Sequence, residues 1–129
     1  MTGPPLLILV IEDDRANQTL VRDVLENSGY RCEAVSSAEE GLLLAEVLHP
    51  ALILLDIKLP GMDGVTAARQ LKHSPATRGI KLIGMSAHAM VNEVALIETA
   101  DFDSFITKPF SYKALLKMVQ AALASPTEG

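Results

Sequence analysis

Five short apolar runs punctuate the chain, over 6–11, 31–35, 51–55, 80–85 and 104–106, and stretches with helical spacing lie between them. Runs this short and rich in Val, Ile and Leu predict strands covered on both faces, as in parallel sheets. The stretches 14–28, 37–48, 64–73, 89–99 and 111–124 predict five helices. In the first, Leu20, Val21, Val24 and Leu25 make one apolar stripe, leaving Arg15, Arg22, Asp23 and Glu26 for water. Gly29 predicts a left-handed stop after it, and Ser37 with Glu40 predicts a capping box for the second helix. Pro50, Ser74-Pro75 and Pro109 fall between elements, where proline does least harm. Strand–helix alternation of this kind implies an α/β domain with parallel pairing and helices on both faces.

Polar residues gather where the strands end. Leu6 to Ile11 runs into Glu12-Asp13-Asp14, and Ala51-Leu52-Ile53-Leu54-Leu55 runs into Asp56. The fourth run leads into Ser86, and the fifth into Lys108, two residues beyond Ile106. In an open parallel sheet all these ends share one edge, where chemistry collects. Taken singly, each has a structural explanation. Asp13 or Asp14 could cap the first helix, Asp56 could form a turn, and Ser86 could cap the following helix. Lys108 could be an exposed lysine before a proline. As a set, three carboxylates, a hydroxyl and an ammonium on one edge point to a cation site or a reaction.

Composition narrows the class. At 129 residues the chain fits one domain, 1–129, with its core over about 6–124 and short flexible tails. The net charge is −5, from 11 basic and 16 acidic residues, with no basic cluster, so no direct nucleic-acid partner is expected. Cys32 is the single cysteine, which excludes an internal disulfide and suits a cytoplasmic, reducing compartment. No stretch suits a membrane span. His49, His73 and His88 are scattered without metal-ligand spacing and read as surface or cap residues. The glycines at 61 and 64 serve the turn after Asp56; no Gly-Lys-Ser/Thr follows to make a nucleotide loop.

The motifs and their order resemble the receiver domain of bacterial two-component response regulators, single-domain type. The matching pieces are Ile8-Leu9-Val10-Ile11-Glu12-Asp13-Asp14, Leu54-Leu55-Asp56 through Leu59-Pro60-Gly61-Met62-Asp63-Gly64, Met85-Ser86-Ala87, and Phe105-Ile106-Thr107-Lys108-Pro109-Phe110. The resemblance implies a flavodoxin-like three-layer sandwich, a five-stranded parallel sheet of order 2-1-3-4-5 flanked by five helices. It implies Asp56 as phosphoacceptor, Glu12 and Asp13 as the acidic pair, Ser86 as switch hydroxyl, Lys108 as site lysine and Phe105 as switch aromatic. Mg2+ or Mn2+ would be held by Glu12, Asp13, Asp56 and the backbone carbonyl of Lys58. Glu12, longer than the aspartate more usual there, is expected to act through water. Lys58 and His88, two residues beyond Asp56 and Ser86, are expected to tune the lifetime of the phosphorylated state.

The implied function is a phosphorelay switch, not an enzyme in its own right, although it assists its own phosphorylation and dephosphorylation. A histidine kinase or histidine phosphotransfer protein would donate. A downstream protein or a second copy would bind the face made by the fourth helix, fifth strand and fifth helix. That fourth helix, 89–99, is apolar around most of its circumference, and Val91, Ala95 and Leu96 fall off its core stripe. Two features depart from the family pattern: that apolarity, and Ala100-Asp101 where Ala-Gly is common. Ser125-Pro126-Thr127-Glu128-Gly129, soon after the last helix, suggests a free-standing regulator. The alternatives are a receiver excised from a hybrid histidine kinase, or a pseudo-receiver that is never phosphorylated. An aspartyl-phosphate hydrolase would place a second aspartate two positions after the nucleophile, where this chain has Lys58.

Overall fold

Buried strands with alternating side-chain directions build one sheet with a core on each face. The structure, a computed structural model, describes residues 5–86 and 102–124. The elements are β1 (Leu7–Ile11), α1 (Arg15–Asn27), β2 (Arg31–Val35), α2 (Ala38–Leu48), β3 (Leu52–Asp56), α3 (Gly64–His73), β4 (Lys81–Ser86), β5 (Ser104–Thr107) and the C-terminal helix α4 (Tyr112–Ala124). All strand pairs are parallel, in the order β2-β1-β3-β4-β5. The four helices of the described residues match four of the five predicted. The predicted helix over 89–99 lies outside those residues, with His88 and Asp101.

Alternation along β1 and β3 divides the core. Ile8, Val10, Leu52 and Leu54 pack with Val21 and Leu25 of α1 and Leu115 and Val119 of α4. Leu9, Ile11, Ile53 and Leu55 pack on the opposite face with Ala38 and Ala45 of α2 and Ala67, Ala68 and Leu71 of α3. Small residues on α2 and α3 bring those helices close to the sheet. The result is the flavodoxin-like three-layer sandwich.

The helix ends follow their local chemistry. Asp14, Ser37 and Asp63 are the N-caps of α1, α2 and α3, each accepting from a backbone N–H three residues on. Ser37 Oγ also donates to Glu40 Oε1 at 3.2 Å, so the predicted pair meets at the cap, through the hydroxyl and not through the Ser37 N–H of a reciprocal box. Helix α1 ends in a left-handed Gly29 at φ +95°, with Tyr30 N donating to Leu25 O at 3.1 Å. Helix α2 ends differently, on His49 at φ +49°, a non-glycine residue in left-handed backbone before Pro50. At the sheet's other edge Lys72 donates to the Ile80 carbonyl at 3.0 Å and pairs with Asp103 at 3.4 Å, tying α3 to the start of β5.

Candidate phosphoryl-acceptor site

Three consecutive acids after β1 take three different environments. Glu12 is 1% exposed, its Oε2 accepting from Asp14 N at 3.1 Å and its Oε1 from Asn17 Nδ2 at 3.5 Å. Asp13 is exposed. Asp14 is spent on helix capping, its Oδ1 accepting from Asn17 N at 3.1 Å. Gln18, one turn into α1, donates from Nε2 to the Glu12 carbonyl and to Ser36 Oγ at 3.2 Å. The loop carrying the acids is thus tied to the loop after β2.

Asp56 is the last residue of β3 and 6% exposed. Its Oδ1 accepts from Lys58 N at 3.2 Å, which sets the carboxylate against its own turn. Two backbone bonds hold that turn: Ile57 N to Met85 O at 3.0 Å, and Gly64 N to Ile57 O at 2.9 Å. The return of the chain at residue 64 is too close for a side chain. A Cβ on Gly64 would stand 2.2 Å from the Asp56 carbonyl oxygen and 2.7 Å from Ile57 Cα. Gly61, at φ +76°, supplies the left-handed step in the same turn.

From the adjacent strands come the remaining polar groups. Ser86 closes β4, is buried, and lies opposite Thr107 in register. The Ser86 carbonyl accepts from Lys108 N at 2.6 Å, prolonging the β4–β5 pairing by one residue before the cis Lys108–Pro109 bond. So placed, Lys108 sends its Nζ to Glu12 Oε1 at 2.6 Å and to Asp56 Oδ2 at 3.1 Å. Burial works to lower the Lys108 pKa, but hydrogen bonds to Glu12 and Asp56 and their charges outweigh it, and the pKa lies above its ordinary value. Phe105, half-buried, stands in β5 opposite Gly84.

Glu12, Asp13 and Asp56 each offer a carboxylate oxygen, and the three oxygens lie within 4.8 Å of one another. A compact set of hard oxygen donors fits magnesium or manganese better than softer metals. The fit is good. The structure therefore brings Glu12, Asp13, Asp56 and Lys108 together, with Ser86 on the neighbouring strand end. Lys58 is exposed in the loop beyond Asp56, and His88 lies outside the described residues. Asn17 and Gln18 are the neighbours that sequence reading missed. Their signal was a pair of amides on the first turn of a helix that begins at an acid cluster.

Two buried acids bridged by an ammonium, with a third acid beside them, at the carboxyl edge of a 2-1-3-4-5 sheet point to a receiver-type signalling domain. The family model of the response regulator receiver domain matches residues 8–120. The polar-differentiation response regulator DivK of Brucella ovis is 34% identical over 116 residues, covering 90% of this chain and 94% of that protein. Among solved structures, the receiver domain of sensor histidine kinase PA1611 from Pseudomonas aeruginosa PAO1, with magnesium coordinated in its active-site cleft, is similar at TM-score 0.88. It is 28% identical, covering 94% of this chain and 99% of that one. A CheY-like receiver domain protein from Methanospirillum hungatei JF-1 is 30% identical at TM-score 0.85, covering 92% and 94%. The chain belongs to the response regulator receiver family. Receiver domains of this family are signalling switches that work with histidine kinases and downstream partners. No helix among the described residues is long and apolar enough to cross a membrane.

Proposed function

We propose that this single receiver domain is a phosphorylation-driven switch in which Asp56 accepts a phosphoryl group from a histidine of a kinase or phosphotransfer protein. The observation that carries the reading is the Lys108 ammonium held between two buried carboxylates, 2.6 Å from Glu12 and 3.1 Å from Asp56. A carboxylate is a weak nucleophile toward an anionic phosphoryl group, so the site must first offset like charges. Lys108 does part of this, and Lys58 N–H fixes the carboxylate in orientation. Magnesium, held by Glu12, Asp13, Asp56 and the Lys58 carbonyl, would supply the remaining positive charge.

An Asp56 oxygen forms the new O–P bond as the donor's P–N bond breaks, and the electron pair of that bond stays on the imidazole nitrogen. Lys108 then has a phosphoryl oxygen to pair with in place of the Asp56 carboxylate. Ser86, buried at the adjacent strand end, would donate its hydroxyl to another oxygen. Drawing Ser86 inward would bias the chain that follows it, and Phe105, half-buried in β5, would turn in response. That shift alters the face formed by β5 and α4, through which a downstream protein or a second copy would be controlled. Lys58, exposed two residues beyond Asp56, would tune how long the phosphoryl group survives.

Mass spectrometry after incubation with phosphoramidate and magnesium tests the assignment. Wild type should gain one phosphoryl group and Asp56→Asn none. Full modification of Asp56→Asn, or modification of wild type without a divalent cation, would overturn it.

A further inference from the structure

We propose that the free edge of the sheet at β2, together with the apolar outer arc of α2, is a pairing surface for a second copy of this chain. Among the described residues, strand β2 pairs only with β1. Arg31 N donates to Leu6 O and Val35 O accepts from Glu12 N, so residues 31, 33 and 35 turn their main-chain groups inward. By strand alternation Cys32 and Ala34 turn theirs outward, an open template for another strand. No proline or lysine interrupts β2 to blunt that edge.

The flank on the α2 side is apolar to an unusual degree. Leu43 is 69% exposed, Val47 73% and Leu48 37%. Leu42 and Glu46 line the cleft toward α3, with Gln70 and Leu71. Leu44 and Leu48 follow two residues later, about 200° around the helix, and so face the β2 edge. Leu43 and Val47 continue the apolar arc outward. On the other flank α1 sets Arg22 and Glu26 beside Cys32, with the Arg22 Nε buried and without a hydrogen-bond partner.

Charge selects both the occupant and the register. The exposed side chains of β2 are Arg31 and Glu33, on the α2 side of the sheet. In an antiparallel pair about a two-fold axis at Cys32, each Arg31 lies opposite Glu33 of the second copy, twice by symmetry. Shifting the axis to Glu33 sets that carboxylate against itself, and shifting it to Ala34 leaves both charges without a cross-strand partner. The Cys32-centred pair also exchanges two main-chain bonds between the Cys32 residues and gives Ala34 N–H the Tyr30 carbonyl. Opposite charges directly across a strand pair are favourable and like charges are not. The strand is thus complementary to its own copy in one register.

Sedimentation velocity of the unphosphorylated full chain over a concentration series at low salt tests this. Wild type should self-associate, less strongly as salt is raised. Arg31→Glu and Glu33→Arg should each weaken association roughly tenfold, since each places two like pairs across the axis. The double swap Arg31→Glu/Glu33→Arg should restore it. Ala34→Pro removes an outward N–H that the monomer does not use, and should abolish pairing while the monomer stays folded by circular dichroism. A wild type that stays monomeric throughout would assign the apolar arc to a different protein and overturn the proposal. So would single reversals that associate like wild type, or a double swap that fails to recover.

Discussion

Replacing Gly64 with alanine tests whether the turn after β3, rather than the acids alone, sets the reactive geometry of Asp56. The new Cβ would meet the Asp56 carbonyl oxygen at 2.2 Å and Ile57 Cα at 2.7 Å, both backbone atoms. Ordinary contacts lie near the van der Waals distance of about 3.5 Å, so the turn must open by roughly 1 Å. Overpacking of this kind costs about 1–3 kcal/mol, and backbone neighbours belong at the upper end because they cannot rotate away. Against it stands a gain of about 0.4–1 kcal/mol from the stiffer unfolded chain. A net loss of about 2–2.5 kcal/mol in urea titrations is expected. The displaced carboxylate should also slow modification by phosphoramidate, since a 1 Å misplacement can cost about a hundredfold in rate. Gly41→Ala is the control. There the Cβ meets the Ile11 Cδ1 at 2.2 Å and Cγ1 at 2.7 Å, side-chain atoms in the core, so strain need not reach Asp56. It should lose stability yet keep the wild-type rate. If Gly64→Ala matches wild type in both stability and rate, the turn does not position the acceptor.

Three further outcomes are expected. Asp13→Asn should reduce the thermal shift that magnesium gives wild type, worth about 1.4 kcal/mol at ten times the dissociation constant; equal shifts would remove Asp13 from the ligand set. Lys108 has a raised pKa, so its ion pairs stabilise the fold fully below its ordinary value of 10.5 and that contribution is lost as pH rises through the folded value. Alkaline titration of stability should show this loss in wild type and not in Lys108→Met, which should already be less stable at neutral pH. Burial pushes the Cys32 thiol up to about 11 from 9.0, against a lowering by Arg22, so the unfolded chain ionises first and stability falls between those values. Cys32→Ala should abolish that component, roughly 2–3 kcal/mol across the full interval, and a superimposable pH profile would refute it.

Much of this architecture was legible because burial on both faces leaves a dense apolar run, as at Ile53, Leu54 and Leu55. Each predicted strand differs from the observed one by at most one residue at either end. Caps written in local chemistry were equally legible: Ser37 with Glu40, and Gly29 after α1. What escaped was set by tertiary contact. Nothing local marks His49 for the left-handed backbone in which it caps α2, its N–H donating to Ala45 O. Lys72 reads as one more surface lysine until the fold brings the Ile80 carbonyl and Asp103 to it. The acids Glu12, Asp13 and Asp14 were legible as a group, but their division into a buried, an exposed and a capping residue needed the path of α1.

That division explains how the acids can stand so close together. If all three faced the same cleft with Asp56, four like charges would converge on one ammonium. Asp14 is turned away to the helix start, where backbone N–H groups and the helix dipole favour a carboxylate. Asp13 is left in water, where its charge is screened until a cation arrives. Only Glu12 and Asp56 are buried, and Lys108 reaches both. The shorter contact, to Glu12, leaves the Asp56 pairing as the longer of the two. On the proposed reading, a phosphoryl group on Asp56 would need to win Lys108 only from its more distant partner, while Glu12 would keep the lysine inside the site. By the same geometry, shortening Glu12 to aspartate takes away the contact that holds Lys108 between the two acids. In this arrangement Glu12 holds the lysine more closely, and on the proposed reading Asp56 is the position at which that lysine changes partners.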